Sequence, residues 1–198
     1  NFFVKQSAKV FDLYEKHCQA NDLVDFAGLL VKSYELLKNN QNLLDYYQKK
    51  FCHILVDEFQ DTNRIQYQFI KILHNQNNHV FCVGDDDQSI YGWRGARIEN
   101  IQKIESDFKP IQVIKLEQNY RSTGNILSAS NALIANNLNR LEKSLWTASG
   151  DGELINVFNA STETEEAQYV VAEIQNQFNQ GRNLNECAIL YRSNIQSR

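Results

Sequence analysis

Two acidic residues follow a short apolar run in the first third of the sequence. Asp57 and Glu58 come directly after residues 54–56 (Ile-Leu-Val), a run that is too short and too β-branched for a helix and is typical of a strand. An aspartate at the end of a strand can hold the water shell of Mg²⁺, and an adjacent glutamate can polarise a water molecule that attacks a phosphate. A pair of acids at a solvated strand end is the structural alternative.

A second acidic segment lies at residues 85–88, which are three aspartates and a glutamine. It follows residues 80–83, which we predict to be a buried parallel strand, and the chain turns between them at Gly84. Because ligands of open α/β sheets bind at the carboxyl ends of strands, this position suits a metal–phosphate site. The amide of Gln88 can hydrogen-bond both a γ-phosphate and the attacking water, which suits a sensor. An acidic turn with a capping glutamine is the alternative, and direct contact of the aspartates with phosphate requires a metal or a neighbouring cation.

Two aromatic residues and an arginine follow within ten residues of the acidic segment. Tyr91, Trp93 and Arg94 lie in a polar stretch that is interrupted by Gly92 and Gly95. Stacking of an unpaired base on an aromatic side chain contributes about 1–3 kcal/mol and tolerates any base, so these residues suit binding to single-stranded nucleic acid. Packing between two domains is the alternative for the same residues.

Tyr120 and Arg121 lie between a predicted strand and a predicted helix. The start of a helix favours anions, and an arginine there could neutralise charge on a phosphoryl group during its transfer. Tyr120 could stack on a purine. A capped helix with a surface arginine is the structural alternative.

The elements that must position these residues alternate between strands and helices, which predicts an α/β fold with mostly parallel sheets. The apolar spacing predicts helices near residues 2–18, 23–37, 43–50, 62–73, 98–108, 123–138 and 163–180, and strands near residues 54–56, 80–83, 111–116, 154–158 and 187–191. We expect Asn21 or Asp22 to cap the second helix, and Asp61 or Thr62 to cap the fourth.

The composition sets further limits on function. The 198 residues are enough for one large or two small domains, and the formal net charge of −4 gives no global electrostatic reason for nucleic-acid binding. Any such binding would therefore depend on a local patch. No apolar run approaches the roughly 18 residues of a membrane span and no signal peptide opens the chain, so we expect a cytoplasmic protein without a membrane partner.

The cysteines also indicate a cytosolic protein, and the spacing of the cysteines and histidines bears on metal binding. Neither residue type shows metal-ligand spacing, and we expect the cysteines to be reduced, buried thiols. They are Cys18, Cys52, Cys82 and Cys187. Because the sequence has no methionine, we expect it to be an internal part of a longer reading frame.

Three long segments together resemble one known family. Residues 57–63, 83–96 and 116–123 are similar to motifs II, III and IV of superfamily 1 DNA helicases of the UvrD/Rep/PcrA type. Residues 22–30, 145–147 and 187–198 also resemble parts of that family, so that the resemblance covers essentially the whole chain.

The resemblance implies RecA-like sheets of the P-loop NTPase type, mostly parallel and flanked by helices, in parts of two motor domains. Residues 1–19 would end an inserted helical subdomain (1B-like). Residues 20–115 would complete the first motor domain (1A-like), and residues 116–198 would begin the second (2A-like).

The resemblance also implies a role for each candidate residue at a site for ATP and Mg²⁺. Asp57 would hold Mg²⁺ through water, and Glu58 would be the general base. Gln88 would link the γ-phosphate to the DNA site. Tyr120 would stack on adenine, and Arg121 would be an arginine finger on the γ-phosphate.

The expected partner is DNA. Tyr91, Trp93 and Arg94 would contact single-stranded DNA, and the protein would act on single strands and duplex junctions, with 3′→5′ movement, in DNA repair together with repair proteins. Two alternatives stay open: a motor subunit of a recombination helicase–nuclease, and a single-stranded DNA-binding module without catalysis. The presence of Glu58, Gln88 and Arg121 together favours an enzyme, because a pure binding module needs none of them.

One departure from the family pattern limits what this chain can do alone. The sequence contains no Gly-x-x-x-x-Gly-Lys-Ser/Thr, the loop whose backbone and lysine cradle phosphates. Because phosphoryl transfer depends mainly on positioning and electrostatics, we expect the 198-residue chain by itself to hydrolyse no ATP.

Overall fold

The computed structural model describes residues 2–138, 140–141 and 143–192, and it has an α/β fold. In these ranges the helices are α1 Phe2–Ala20, α2 Phe26–Asn39, α3 Gln41–Lys50, α4 Arg64–Leu73, α5 Glu99–Asp107, α6 Gly124–Ile134 and α7 Glu163–Asn179. The strands are β1 His53–Val56 and β2 His79–Cys82. Short 3₁₀ turns lie at Phe59–Asp61, Asp86–Gln88, Gly92–Arg94 and Leu184–Glu186.

The two strands are parallel neighbours, as the apolar runs predicted, with His53 opposite His79 and Val56 opposite Cys82. The prediction that the second strand is buried was only half right. Val80 and Cys82 pack against the core, whereas Phe81 is 61% exposed. The difference arises because side chains alternate between the two faces of a strand, and the packed clusters of the described residues cover one face.

Two apolar clusters hold the helices against that face. One contains Phe59, Tyr67, Ile70 and Phe108, and α5 packs against it. The other contains Leu37, Leu44 and Leu73 from α2, α3 and α4. Since α4 contributes to both clusters, it connects α2, α3 and α5 to the sheet.

The cap of α2 differs from the prediction. Asp25 caps this helix, and its Oδ1 accepts a hydrogen bond of 2.6 Å from the Gly28 N–H. Asn21 and Asp22 instead form the turn that ends α1, where Asp22 has a positive φ of 52°. These two residues are therefore used to stop one helix and not to start the next.

The cap of α4 is also shifted. Asn63 is the cap, and it forms a reciprocal pair of hydrogen bonds with Gln66, the arrangement known as a capping box. Asp61 and Thr62, the predicted caps, belong to the 3₁₀ turn and its end. The tight turn after β1 moves the start of α4 by one or two residues.

The predicted strands at 111–116, 154–158 and 187–191 do not form in the described part of the chain. A strand needs a neighbour that accepts its backbone hydrogen bonds, and these segments have no ladder partner among the residues of the two strands. Val157 and Leu190 are more than 90% exposed.

The helix α6 is shorter than predicted. The helix α7 agrees with its prediction, with Thr162 as its cap and Gly181 just beyond its end at φ 93°.

The chain divides into two compact units. The first unit contains residues 1–119 and 129–146, and the second contains residues 120–128 and 147–198.

All four cysteines lie in described segments and are free, and Cys52 is exposed where we predicted a buried thiol. Among the described residues, the helices are too short or too polar to cross a lipid bilayer.

Candidate functional site

The carboxyl ends of β1 and β2 lie side by side, and their backbone pairing continues beyond the strands. The Val83 N–H donates to the carbonyl of Val56 at 2.8 Å, and the Phe59 N–H donates to the carbonyl of Val83 at 2.9 Å. This pairing brings Asp57 and Glu58 next to the start of the acidic segment. The two acidic stretches therefore share one edge of the sheet.

Glu58 has an unusual backbone conformation. Its φ of 48° and ψ of 44° lie in the left-handed region, which costs a non-glycine residue on the order of 1–3 kcal/mol. The Glu58 N–H donates to Oδ1 of Asp57 at 2.9 Å. Both carboxylates are exposed. Backbone strain of this kind persists where surrounding contacts enforce it, and it concentrates at functional sites.

A buried glutamine joins the two acidic stretches. Gln60 is 1% exposed. Its Nε2 donates to Oε2 of Glu58 at 2.7 Å, and its Oε1 accepts from the Asp85 N–H at 3.0 Å. We did not single out Gln60 in the sequence, where its only signal is its place within the motif at residues 57–63.

The three aspartates of the second stretch are paired with two cations. Their carboxylates lie within 4.8 Å of one another. Arg140 donates two hydrogen bonds to Asp87, of 2.9 and 2.6 Å, and Lys143 forms ion pairs with all three aspartates. Neither cation was found from the sequence, because more than 50 residues separate them from the acids.

The charges in this ion-pair cluster shift the pKa values of its members. The hydrogen bond from Arg140 holds the pKa of the Asp87 carboxyl below its ordinary value. Burial opposes the charge of Lys143, but hydrogen bonds to Asp85 and Asp86 outweigh burial and raise its pKa. Three negative charges thus face two positive charges from the same chain, Arg140 and Lys143, which leaves the cluster with a net charge of −1.

The depressed pKa of Asp87 predicts a loss of stability in acid. A carboxyl with a lowered folded-state pKa stabilises the fold above the ordinary aspartate pKa of 3.8, and this stabilisation is lost as the pH falls through the folded-state value. We therefore expect urea unfolding of Arg140→Gln in the complete protein to depend less on pH than wild type between about pH 5 and pH 2. Arg182→Gln, at an exposed arginine of the second unit, should follow wild type. If the free energy of unfolding has the same pH dependence in Arg140→Gln and in wild type, Arg140 does not lower the pKa of Asp87.

The loop that carries Gln88 is held at both ends by the segment after β1. At its start, the Asp85 N–H binds Gln60, and Nε2 of the exposed Gln88 donates to Oδ2 of Asp85 at 2.8 Å. At its end, the Arg97 N–H donates to the carbonyl of Thr62 at 3.0 Å. Asn100, which is buried, donates to the same carbonyl at 3.0 Å. We call residues 84–97 the tethered loop.

The aromatic residues lie on the surface of the tethered loop. Trp93 is 69% exposed and Tyr91 is 36% exposed. The Arg94 guanidinium lies 4.5 Å from the centre of the Trp93 ring and 5.1 Å from that of Tyr91. This exposure argues against packing inside the first unit and favours stacking against an external ring. The patch of Tyr91, Trp93 and Arg94 is thus an exposed aromatic and basic surface on a chain of net charge −4.

Tyr120 and Arg121 lie at the start of the second unit, before α6. Tyr120 is 82% exposed, and Arg121 is exposed as well. Both side chains are therefore accessible to a ligand.

The start of α6 does not offer all of its N–H groups to an anion. Gly124 N–H donates to the carbonyl of Gly150 at 2.8 Å, and Asn125 N–H donates to that of Asp151 at 2.9 Å. The turn at residues 150–152 therefore occupies these donors.

The exposed carboxylates of Asp57 and Glu58 fit a magnesium ion, since Mg²⁺ prefers oxygen ligands and keeps several waters. Together with a parallel strand pair that ends in acids, they define an α/β protein with a candidate ligand site at the carboxyl edge of its sheet.

Comparison with known families places this chain among the helicases. Residues 1–109 match the UvrD/REP helicase N-terminal domain, and residues 114–198 match the UvrD-like helicase C-terminal domain. The chain belongs to the UvrD/Rep helicase family, as the motif resemblance implied.

Individual relatives agree with this assignment. The chain is 55% identical over 190 residues to DNA helicase II of Escherichia coli (strain K12) and 54% identical to DNA helicase II of Haemophilus influenzae, and both alignments cover 96% of this chain and 26% of the relative. It is 46% identical over 198 residues to the ATP-dependent DNA helicase PcrA of Staphylococcus epidermidis, which covers all of this chain and 27% of the relative. The chain thus spans about a quarter of the length of these relatives.

Proposed function

We propose that the protein containing this chain is an ATP-dependent DNA helicase. It couples ATP hydrolysis to 3′→5′ translocation along single-stranded DNA and to separation of duplexes in DNA repair. The observation that carries this proposal is the tethered loop. Its first residues, near Gln88, bind the segment that contains Glu58, and its exposed middle part presents Trp93. One short loop thereby connects a hydrolytic site with a nucleic-acid surface.

Each residue has a distinct task in this reaction. Glu58 accepts a proton from the attacking water, and Gln88 orients that water and the γ-phosphate. Asp57 would hold Mg²⁺ through its water shell, and the ion would neutralise phosphate charge when bound. Arg121 stabilises charge on the transferring phosphoryl group, and Tyr120 stacks on the adenine.

The proposal includes two RecA-like motor domains. Residues 1–19 end an inserted helical subdomain, residues 20–115 complete the first motor domain, and residues 116–198 begin the second. The parallel pairing of β1 and β2 supports this arrangement for the first domain, and the family matches at residues 1–109 and 114–198 support a change of domain near residue 115.

A binding module without catalysis is the second candidate, because the exposed patch of Tyr91, Trp93 and Arg94 would serve it equally well. The strained backbone of Glu58 argues for the enzyme, since a binding module gains nothing from a strained acid at the sheet edge.

The two candidates are separated by measuring ATP hydrolysis with and without single-stranded DNA. The assay uses the complete protein and the 198-residue chain side by side. A helicase predicts hydrolysis that DNA stimulates in the complete protein and no hydrolysis by the chain alone. A complete protein that binds DNA without turnover would establish the binding module.

Replacement of Trp93 by alanine should weaken binding of single-stranded DNA. Loss of one base stack costs about 1–3 kcal/mol, so we expect the Kd of an oligonucleotide to rise by roughly 5- to 150-fold in the complete protein. The measurement is fluorescence anisotropy of a labelled oligonucleotide. The matched control is Tyr46→Ala, which removes a 55% exposed aromatic side chain from α3 and should leave affinity unchanged. An unaltered Kd for Trp93→Ala would make Trp93 a packing residue.

A further inference from the structure

Gln60 is a buried amide whose two ends both bind functional segments. A buried amide is costly unless its donor and its acceptor are both satisfied. Here Nε2 donates to Oε2 of Glu58 at 2.7 Å, and Oε1 accepts from the Asp85 N–H at 3.0 Å. One side chain therefore spans from the proposed base to the first turn of the tethered loop.

The chemistry of the two partners requires a glutamine at this position. A backbone N–H can only donate and an ionised carboxylate can only accept, so the amide of Gln60 has a single orientation that satisfies both Asp85 and Glu58. Ionised glutamate would offer no donor to Glu58, and methionine would offer neither group. The side chain of asparagine is one methylene shorter than that of glutamine, so it would not reach both Glu58 and Asp85.

The glycine at position 84 is a second observation that supports close contact between the ends of the two strands. A Cβ at this position would lie 2.9 Å from Oε1 of Gln60 and 3.2 Å from Cβ of Phe59. Both distances are shorter than ordinary van der Waals contact. The two strand ends can therefore approach closely enough for the amide to bridge them because residue 84 has no side chain.

We propose that Gln60 is a positioning residue that couples the tethered loop to Glu58. The inference rests on the proposed function, in which Glu58 is the base and the loop carries both Gln88 and the DNA-binding aromatics. A displacement of the Asp85 backbone on DNA binding is transmitted to the Glu58 carboxylate through the Gln60 amide, whose oxygen and nitrogen are both hydrogen-bonded. The left-handed backbone of Glu58 limits the directions in which that carboxylate can point. DNA thereby stimulates hydrolysis through Gln60.

The test uses Gln60→Met and Gln60→Glu in the complete protein. Gln60→Met keeps the length of the side chain and removes both hydrogen bonds. Gln60→Glu keeps an acceptor for Asp85 and removes the donor to Glu58. Because a misplacement of about 1 Å can cost on the order of 100-fold, we expect DNA-stimulated kcat to fall by about 10- to 100-fold in each variant. We expect the KM for ATP to stay within about threefold of the wild-type value. The ratio of kcat with DNA to kcat without DNA should fall towards one.

Two controls separate positioning from a general loss of structure. Rates are normalised to the number of sites that bind a fluorescent nucleotide, so that only folded molecules are counted. Gln102→Met changes an exposed glutamine on α5 and should leave kcat and stimulation unchanged. Retained DNA stimulation in both Gln60 variants would overturn the inference.

A double variant tests whether Gln60 acts through Glu58. When the base is already removed by Glu58→Gln, adding Gln60→Met should lower the residual single-turnover rate by no more than about twofold, because residues that act as one unit are not additive. A further 10-fold loss would assign Gln60 a separate structural role. Wild-type protein without DNA-stimulated hydrolysis would instead refute the proposed function, so the two failures are distinguishable.

Discussion

Replacement of Glu58 by glutamine is expected to lower the kcat of DNA-stimulated ATP hydrolysis by about 10²- to 10⁴-fold in the complete protein, since this is what a positioned general base contributes. Glutamine has nearly the same size as glutamate but cannot take a proton from water at neutral pH. Binding of Mg²⁺–ATP should stay within about threefold, because the lost interaction belongs to the transition state. A phosphate-release assay measures kcat, and titration with a fluorescent nucleotide measures binding.

The structure makes this substitution a specific probe of proton transfer. The oxygen of the new amide can still accept the hydrogen bond that Gln60 donates at 2.7 Å, so the local geometry is kept. Glu105→Gln, which changes an exposed acid on α5, is the matched control and should retain full activity. Unchanged turnover in Glu58→Gln would exclude Glu58 as the base.

Replacement of Arg121 by alanine is expected to have a still larger effect, about 10³- to 10⁵-fold on kcat, which is the range for loss of an arginine finger. The start of α6 cannot replace the lost charge with its first donors, because the turn at residues 150–152 binds the N–H groups of Gly124 and Asn125. The measurement is single-turnover hydrolysis with saturating single-stranded DNA.

Two further variants give this prediction its specificity. Arg121→Lys keeps the charge but loses the planar fork that matches phosphate oxygens, so it should recover only part of the activity. Arg182→Ala, at another exposed arginine of the second unit, should retain wild-type turnover. A fall of less than about tenfold in Arg121→Ala would assign Arg121 to the surface of a capped helix.

Local patterns predicted the elements around the site because their signals lie within a few residues of one another. The apolar runs before Asp57 and Gly84 were enough to predict two strands, and their order with α4 between them was enough to predict parallel pairing. The helix caps were less accurate, since Asp61 and Thr62 are as suitable chemically as Asn63. Only the 3₁₀ turn after β1 decides among them.

Contacts over long sequence separations were not predictable in the same way. Gln60 binds Asp85 across 25 residues, and Arg140 binds Asp87 across 53. Nothing in the local sequence around Gln60 or Arg140 indicates its partner, so the partner is visible only in the folded structure. The predicted strands beyond residue 110 had suitable apolar character, but such runs become strands only when another segment pairs with their backbone.

The two tethers of the loop at residues 84–97 also have a thermodynamic consequence. Folding of the first unit already restricts this segment, through the hydrogen bonds that the N–H groups of Asp85 and Arg97 donate to Gln60 and Thr62. The backbone of the loop that carries Tyr91, Trp93 and Arg94 therefore loses conformational entropy on folding, before any ligand binds, and a preorganised backbone loses little more on binding. In the proposed complex with single-stranded DNA, most of the entropic cost of binding would then fall on the DNA strand, which must unstack and align its bases. Flexible strands such as oligo(dT), with weak internal stacking, should accordingly bind with a smaller entropic penalty than strongly stacked oligo(dA).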